Sequence, residues 1–179
     1  MAQTSRILYN RYPELPTINT ERLLLRLLRL EDASDVFEYA SDPEVTRYTL
    51  WDTHESLRDT EDFIEWLAGN FACWALEHKA DAKVIGTCFL HTFDFKNRQA
   101  EIAFNVARQY WNQGYATEAA REVVAFGLAH WELDRIIGTC MLPNIGSARV
   151  LEKIGMTYQG NVHKYNHEMR LYAISNSRD

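Results

Sequence analysis

The stretch "QYWNQGYATEAAREVV", residues Gln109–Val124, joins a polar, aromatic connection to an amphipathic helix through a single glycine. From Ala116 onward, Ala119, Ala120, Val123, Val124, Gly127, Leu128 and Trp131 follow at alternating spacings of three and one, which makes one buried helix face. Thr117, Glu118, Arg121 and Glu122 take the opposite face, and the helix is predicted to reach about Trp131. Alanines at 116, 119 and 120 let its backbone lie close to a sheet. A helix start carries unpaired N–H groups and a partial positive charge. A glycine in front of it leaves room for an anion to reach them, and Gly114 has that place. The P-loop pattern fails because no lysine follows Gly114, and the dinucleotide fingerprint fails because the next glycine is Gly127. The competing reading is a tight turn that Gly114 merely closes.

Upstream of this stretch lie three strand-like runs, "FACWALE", "KVIGTCFLHTF" and "AEIAFNV", separated by the charged turns "HKADAK" and "DFKNRQ" as in an antiparallel meander. The last run ends where the connection begins, and ligand crevices form where strand ends meet helix starts. Nearer the N-terminus, "ERLLLRLLRL" reads as a strand running into the helix "EDASDVFEYA", with Asp32 as its N-cap and Pro43 breaking the pattern beyond. A second helix is predicted in "THESLRDTEDFIEWLAGN", capped by Thr53, ended by Gly69, with Leu57, Phe63, Ile64 and Leu67 on one face.

Downstream, "RIIGTCML" is a strand and "NIGSARVLEKIG" a short helix with Asn144 as N-cap and Gly155 as stop. "MTYQGNVHKYNHEMRLYAIS" reads as a final hairpin. "KVIGTCFL" and "RIIGTCML" are nearly the same word, but their flanks differ, so they read as two buried strands with similar packing needs and not as a repeat. The order β-α-α-β-β-β-α-β-α-β-β implies a mixed α/β sheet with helices on its faces.

Bulk properties narrow the function classes. A chain of 179 residues, 46% hydrophobic and 25% charged, is expected to be one globular domain. Its net charge of −6 and lack of a basic run argue against nucleic acid as a partner. The apolar runs are too short and interrupted to span a bilayer, and the first residues show no signal-peptide pattern, so a cytoplasmic protein is expected. Cys73, Cys88 and Cys140 stand alone in β-like runs, which reads as buried free thiols and not as disulfides or a zinc site.

The words "EIAFNV…YWNQGYATEA", "NIGSARVLEKIGM" and "ERLLLR", in this order, resemble the GCN5-related N-acetyltransferases (GNAT), and within them the RimJ/RimL-like branch. The resemblance runs from about Thr20 to Ile174, inside one domain over residues 1–179 with 1–19 as an N-terminal extension. It implies a mostly antiparallel sheet of about seven strands, splayed after the fourth. "WNQGYA" takes the place of the family's pyrophosphate loop, with Trp111 where Gln or Arg is usual.

The resemblance implies acetyl-coenzyme A as cosubstrate and no metal. Its pyrophosphate would rest on Asn112, Gln113, Gly114, Tyr115, Ala116 and Thr117. Its pantetheine arm would bond the main chain of Asn105, Val106 and Ala107, and Asn144 would contact the arm while capping the helix. The reaction implied is attack of an amine on the thioester. Glu101 is the candidate base, a role worth roughly a hundred- to ten-thousand-fold in rate; the alternative is a solvated carboxylate at a strand end. Leu151 stands where many relatives have a tyrosine acid, which leaves Ser147 as the candidate beside the sulfur, or simply as part of the helix cap. Trp51, Trp74, His91, Phe104 and His163 are candidate walls of the acceptor pocket, although aromatic residues in such runs are more often core. The acceptor would be a primary amine, either a peptide N-terminus or a small molecule. Other readings are a coenzyme-binding module without turnover and a protein-interaction domain. The exposed hairpin edge suits pairing across a homodimer.

Overall fold

A computed structural model describes residues 11–176 apart from Pro13. Eight strands form one sheet: β1 (Ile18–Asn19), β2 (Leu23–Leu27), β3 (Ala72–His78), β4 (Lys83–Asp94), β5 (Gln99–Val106), β6 (Arg135–Met141), β7 (Thr157–Lys164) and β8 (His167–Ser175). Their spatial order is β1-β2-β3-β4-β5-β6-β8-β7, and every neighbouring pair is antiparallel except β5 and β6. The helices are α1 (Ala33–Ala40), α2 (Pro43–Thr46), α3 (Leu57–Asn70), α4 (Tyr115–Ala129) and α5 (Ile145–Lys153). Among the described residues no helix is long and apolar enough to cross a membrane.

The strand beyond the expected seven is the two-residue β1. It belongs to the segment expected to be an extension, as does Leu15, which is buried in the core. The Pro16 carbonyl accepts a 2.9 Å hydrogen bond from the Trp74 indole. Residues 14–19 are therefore part of the domain, and residues 1–10 lie outside the described ones.

Strand alternation divides the core. Ala72, Trp74 and Leu76 of β3 turn to the layer that holds α4 and α5, while Cys73 and Ala75 turn to the layer that holds α1 and α3. The sheet is thus covered on both faces. All three cysteines are free and buried, and burial pushes their thiols up from the ordinary range.

Some helix ends differ from expectation. Asp32 precedes α1 but does not cap it with its side chain. The carboxylate is held instead by the Arg26 guanidinium at 2.8 and 2.9 Å and by the Arg29 N–H, because a charged partner outcompetes a neutral cap. Ser56 rather than Thr53 caps α3, in a reciprocal capping box with Asp59, and Thr53 pairs with Thr46 at 2.5 Å. Gly69 lies within α3, which continues to Asn70 before Phe71 turns extended. Pro43 starts the short α2, with Asp42 capping it. Helix α4 stops at Ala129, two residues short of Trp131.

The feature that positions the site is the difference between the two sides of β5. Against β4 it pairs from Glu101↔His91 through Val106↔Gly86. Against β6 it pairs only from Gln99↔Arg135 to Ile102↔Gly138, and beyond that vertex the two strands part. Counted from β2, this is the splay expected after the fourth strand. Helix α5 sits at the vertex. A Cβ on Gly138 would lie 2.6 Å from Leu151 Cδ2, so glycine is what lets α5 pack there.

Candidate active site

One end of the site is the start of α4. The loop before it has two left-handed residues, Asn112 (φ 61°) and Gly114 (φ 87°). Asparagine tolerates this conformation and glycine adopts it freely. A Cβ at Gly114 would meet only Arg22 Nη2, at an ordinary 3.5 Å, so the backbone angle and not crowding within the protein requires glycine there. The first bond of the helix runs from the Glu118 N–H to the Gly114 carbonyl at 2.9 Å, so the preceding N–H groups lie outside the helical ladder.

Arg22 braces this loop. Its Nη1 donates to the Gln113 carbonyl at 2.8 Å, its Nη2 meets Glu118 at 2.6 Å, and its guanidinium lies 4.2 Å from the Tyr115 ring centroid. The Tyr115 hydroxyl bonds His78 Nε2 at 2.9 Å, and Asp81 holds both His78 Nδ1 and the Tyr110 hydroxyl. Beside the helix start opens a cleft of about 410 Å³, lined among others by Arg22, Gly114, Thr117, Arg121 and Lys153. Of these residues, sequence reading singled out Gln113, Gly114, Tyr115 and Thr117. The others have no local pattern, since Arg22 reaches the loop from the residue before β2 and His78 from the end of β3.

Between the helix start and the vertex runs the unpaired edge of β5. The Ala107 N–H donates to the Ile85 carbonyl at 2.7 Å, which makes this a hydrogen-bonded pair of the antiparallel ladder. By alternation Asn105 also turns its main chain toward β4. The expectation that Asn105, Val106 and Ala107 all offer main-chain groups to the gap is thus corrected: of the three, Val106 alone does. Its carbonyl accepts from the Trp111 indole at 2.6 Å. Phe104, on the same edge, is half-buried with its ring against the α4 layer. The Asn105 side chain instead donates to Thr87 Oγ1 at 2.9 Å.

At the vertex stands Glu101. It is 2% exposed, so the reading of a solvated strand-end carboxylate does not hold. Thr139 Oγ1 donates to its Oε1 at 2.5 Å, the Tyr165 hydroxyl donates to Oε2 at 3.2 Å, and the Lys164 ammonium pairs with the same Oε2. Burial, the largest single influence, lowers the Lys164 ammonium, but the hydrogen bonds and charge interactions with Glu101 and Tyr165 together outweigh it and hold the group above the usual lysine value. His91 is the cross-strand partner of Glu101, and burial holds its imidazole below the ordinary range. Phe71 and Phe89 lie against His91, and Trp51 makes tilted ring contacts with His54 and Phe63.

Two of the proposed pocket walls are corrected. Trp74 is 0% exposed and lies in the core against Phe126 and Trp131, so it has no surface to offer. His163 is exposed and meets Glu168 at 3.1 Å. Because a strand alternates its faces, the next residue, Lys164, is the one that turns to Glu101. The tight turn follows at once, with Tyr165 and Asn166 both at positive φ, as a two-residue hairpin loop of the primed type needs.

In α5 the Asn144 side chain accepts from the Ser147 N–H at 3.1 Å, so Asn144 is the cap. Ser147 lies one turn before Leu151 on the same helix face. Leu151 is 1% exposed and has no proton to give. Among the described residues no cluster of His, Cys, Asp and Glu is arranged to hold a metal ion.

Residues 22–157 match the family model described as acetyltransferase (GNAT) domain. The chain is 31% identical over 156 residues to the N-acetyltransferase p20 of Bacillus licheniformis, covering 84% of this chain and 88% of that one. The crystal structure of a GNAT-family acetyltransferase from Bacillus anthracis superposes with a TM-score of 0.80 at 31% identity, over 89% of this chain and 98% of the other. The microcin C7 self-immunity acetyltransferase MccE, solved with acetyl-CoA and AMP, shares the fold at 16% identity, with a TM-score of 0.77 over 87% and 93% of the two chains.

Proposed function

This chain belongs to the GNAT family of N-acetyltransferases, and we propose that it transfers the acetyl group of acetyl-coenzyme A to a primary amine by direct attack on the thioester, with Glu101 receiving the amine's proton. The observation that carries the reading is the buried Glu101 carboxylate at the point where β5 and β6 part. It lies at the far end of an open strand edge that begins at the anion-receptive start of α4. A coenzyme with its pyrophosphate on the N–H groups of Gln113 to Thr117, steadied by the Thr117 hydroxyl and the Arg22-braced loop, would lay its arm along Val106. Its thioester then reaches the vertex, where Glu101 can align an ammonium and take a proton from it. Ser147 is the group proposed to donate to the leaving thiolate, since Leu151 cannot. The acceptor approaches from the face that carries His91, Thr139 and the hairpin tip. The buried free thiols suit the reducing cytoplasm.

The test is thiol release from acetyl-coenzyme A with a panel of small amines and peptide N-termini, compared between wild type and Glu101→Gln. Loss of a general base predicts a fall in kcat of roughly a hundred- to ten-thousand-fold with coenzyme binding kept. Equal rates in the two proteins would remove Glu101 from the chemistry. A second reading, a coenzyme-binding module without turnover, is favoured by one observation: Lys164 already occupies Glu101. It predicts calorimetric binding of acetyl-coenzyme A with no amine accepted.

A further inference from the structure

The chain has five lysines, at 79, 83, 96, 153 and 164. Lys83 pairs with the half-exposed Glu38, and Lys79 bonds the carbonyls of Thr20 and Glu21. Only Lys164 reaches a buried carboxylate. Its side chain is 28% exposed, while that of Glu101 is 2% exposed. The ammonium also lies 4.8 Å from the Tyr165 ring centroid, and the Tyr165 hydroxyl shares Glu101 Oε2 with it. An amine on a flexible stem, with its nitrogen on the carboxylate at the vertex of the splay, has the geometry required of an acceptor.

We propose that Lys164 is an acetylation site of the enzyme's own making, modified in cis by acetyl-coenzyme A bound along β5. The inference rests on the acetyl-coenzyme A reading above. In the step, the Lys164 ammonium gives one proton to Glu101 Oε2. The freed Nζ attacks the thioester carbonyl, a C–N bond forms and the C–S bond breaks. The second proton of the attacking nitrogen passes to the departing thiolate, and Glu101 releases the first to solvent. The products are N-acetyl-Lys164 and coenzyme A thiol, with one proton set free and no redox change. The neutral amide can no longer form the ion pair, so Glu101 keeps only Thr139 and Tyr165. One event per chain then exposes the carboxylate to an external amine.

The experiment incubates the full-length protein with acetyl-coenzyme A and no acceptor in mildly alkaline buffer, and follows intact mass and lysine-resolved peptide mapping. Gly114→Glu, which obstructs the coenzyme, and heat-unfolded wild type serve as controls, and calorimetry measures coenzyme binding alongside. The expected result is one acetyl group per folded chain, with Lys164 modified at least about tenfold faster than any other lysine, as proximity demands, and no such preference in either control. Coenzyme binding without acetyl at Lys164, or acetyl spread evenly over the lysines, would overturn the proposal and leave the acetyl-coenzyme A reading standing. Absence of binding would overturn both.

Discussion

The two strands that flank β5 carry almost the same word, Ile85-Gly-Thr-Cys88 in β4 and Ile137-Gly-Thr-Cys140 in β6. Both cysteines are buried in the layer beneath α4 and α5, and both threonines reach across to a side chain of β5. The glycines differ. At Gly86 a Cβ would lie 2.2 Å from the Asn105 carbonyl oxygen, so that glycine lets two strands close on each other. At Gly138 the space is filled by Leu151, so that glycine admits a helix beneath the point where two strands separate. One word therefore closes the sheet on one side of β5 and accompanies its opening on the other. What decides is the neighbour each strand meets, antiparallel β5 along its length or parallel β5 for four residues.

The largest test of this contrast is the pair of alanine substitutions. Gly86→Ala presses on main chain that has no freedom to yield, and is expected to cost about 3 kcal/mol or more, read by urea unfolding. Gly138→Ala presses on the end of a leucine side chain and should cost roughly 1–2 kcal/mol. Combined with Leu151→Ala, its cost should fall below the sum of the two single effects, since the clash goes with the leucine. Strict additivity there would mean that Leu151 is not what Gly138 accommodates.

The threonines sharpen the same comparison. Thr87→Val removes the partner of a half-buried amide, and should lower stability by about 1 kcal/mol while leaving acetyl transfer unchanged. Thr139→Val removes a donor to Glu101. It should lower kcat for acetyl transfer several-fold with coenzyme binding kept, because the carboxylate loses a bond that orients it. The same effect from both variants would erase the functional difference between the strands.

The smallest expected effect is in the pH dependence of stability. Burial holds the imidazoles of His91 and His54 below their ordinary range, so the unfolded chain takes up those protons first as pH falls. Stability is then full above about pH 6.5, declines as pH falls through that value, and levels off below the folded-state values. In His91→Phe the decline in Tm across this range should be shallower, with the part due to His54 remaining. An unchanged decline would show that His91 is not buried as neutral imidazole.

How much of this was legible beforehand follows from the range of each interaction. The α4 face, its glycine start, the meander before it and the final hairpin are local patterns, and the structure matches them. The short β1, the loss of Asp32 as a cap to Arg26, and the main-chain direction of Asn105 depend on residues far along the chain. His163 and Lys164 illustrate the limit most simply. They are adjacent in a strand, so only the register against β8 and the position of β6 decide which one faces Glu101.

The sequence by itself determined the order of the main elements, the two-faced sheet, the glycine-led start of α4 and the presence of a carboxylate in the central strand. Periodicity, turn chemistry and helix termini are properties of neighbouring residues, and they act before any tertiary contact exists. Only the tertiary structure decided that Glu101 is buried, that Thr139, Tyr165 and Lys164 converge on it, and that Arg22 braces the loop. Burial and charge pairing arise where segments distant in the chain meet, and no local pattern carries that information.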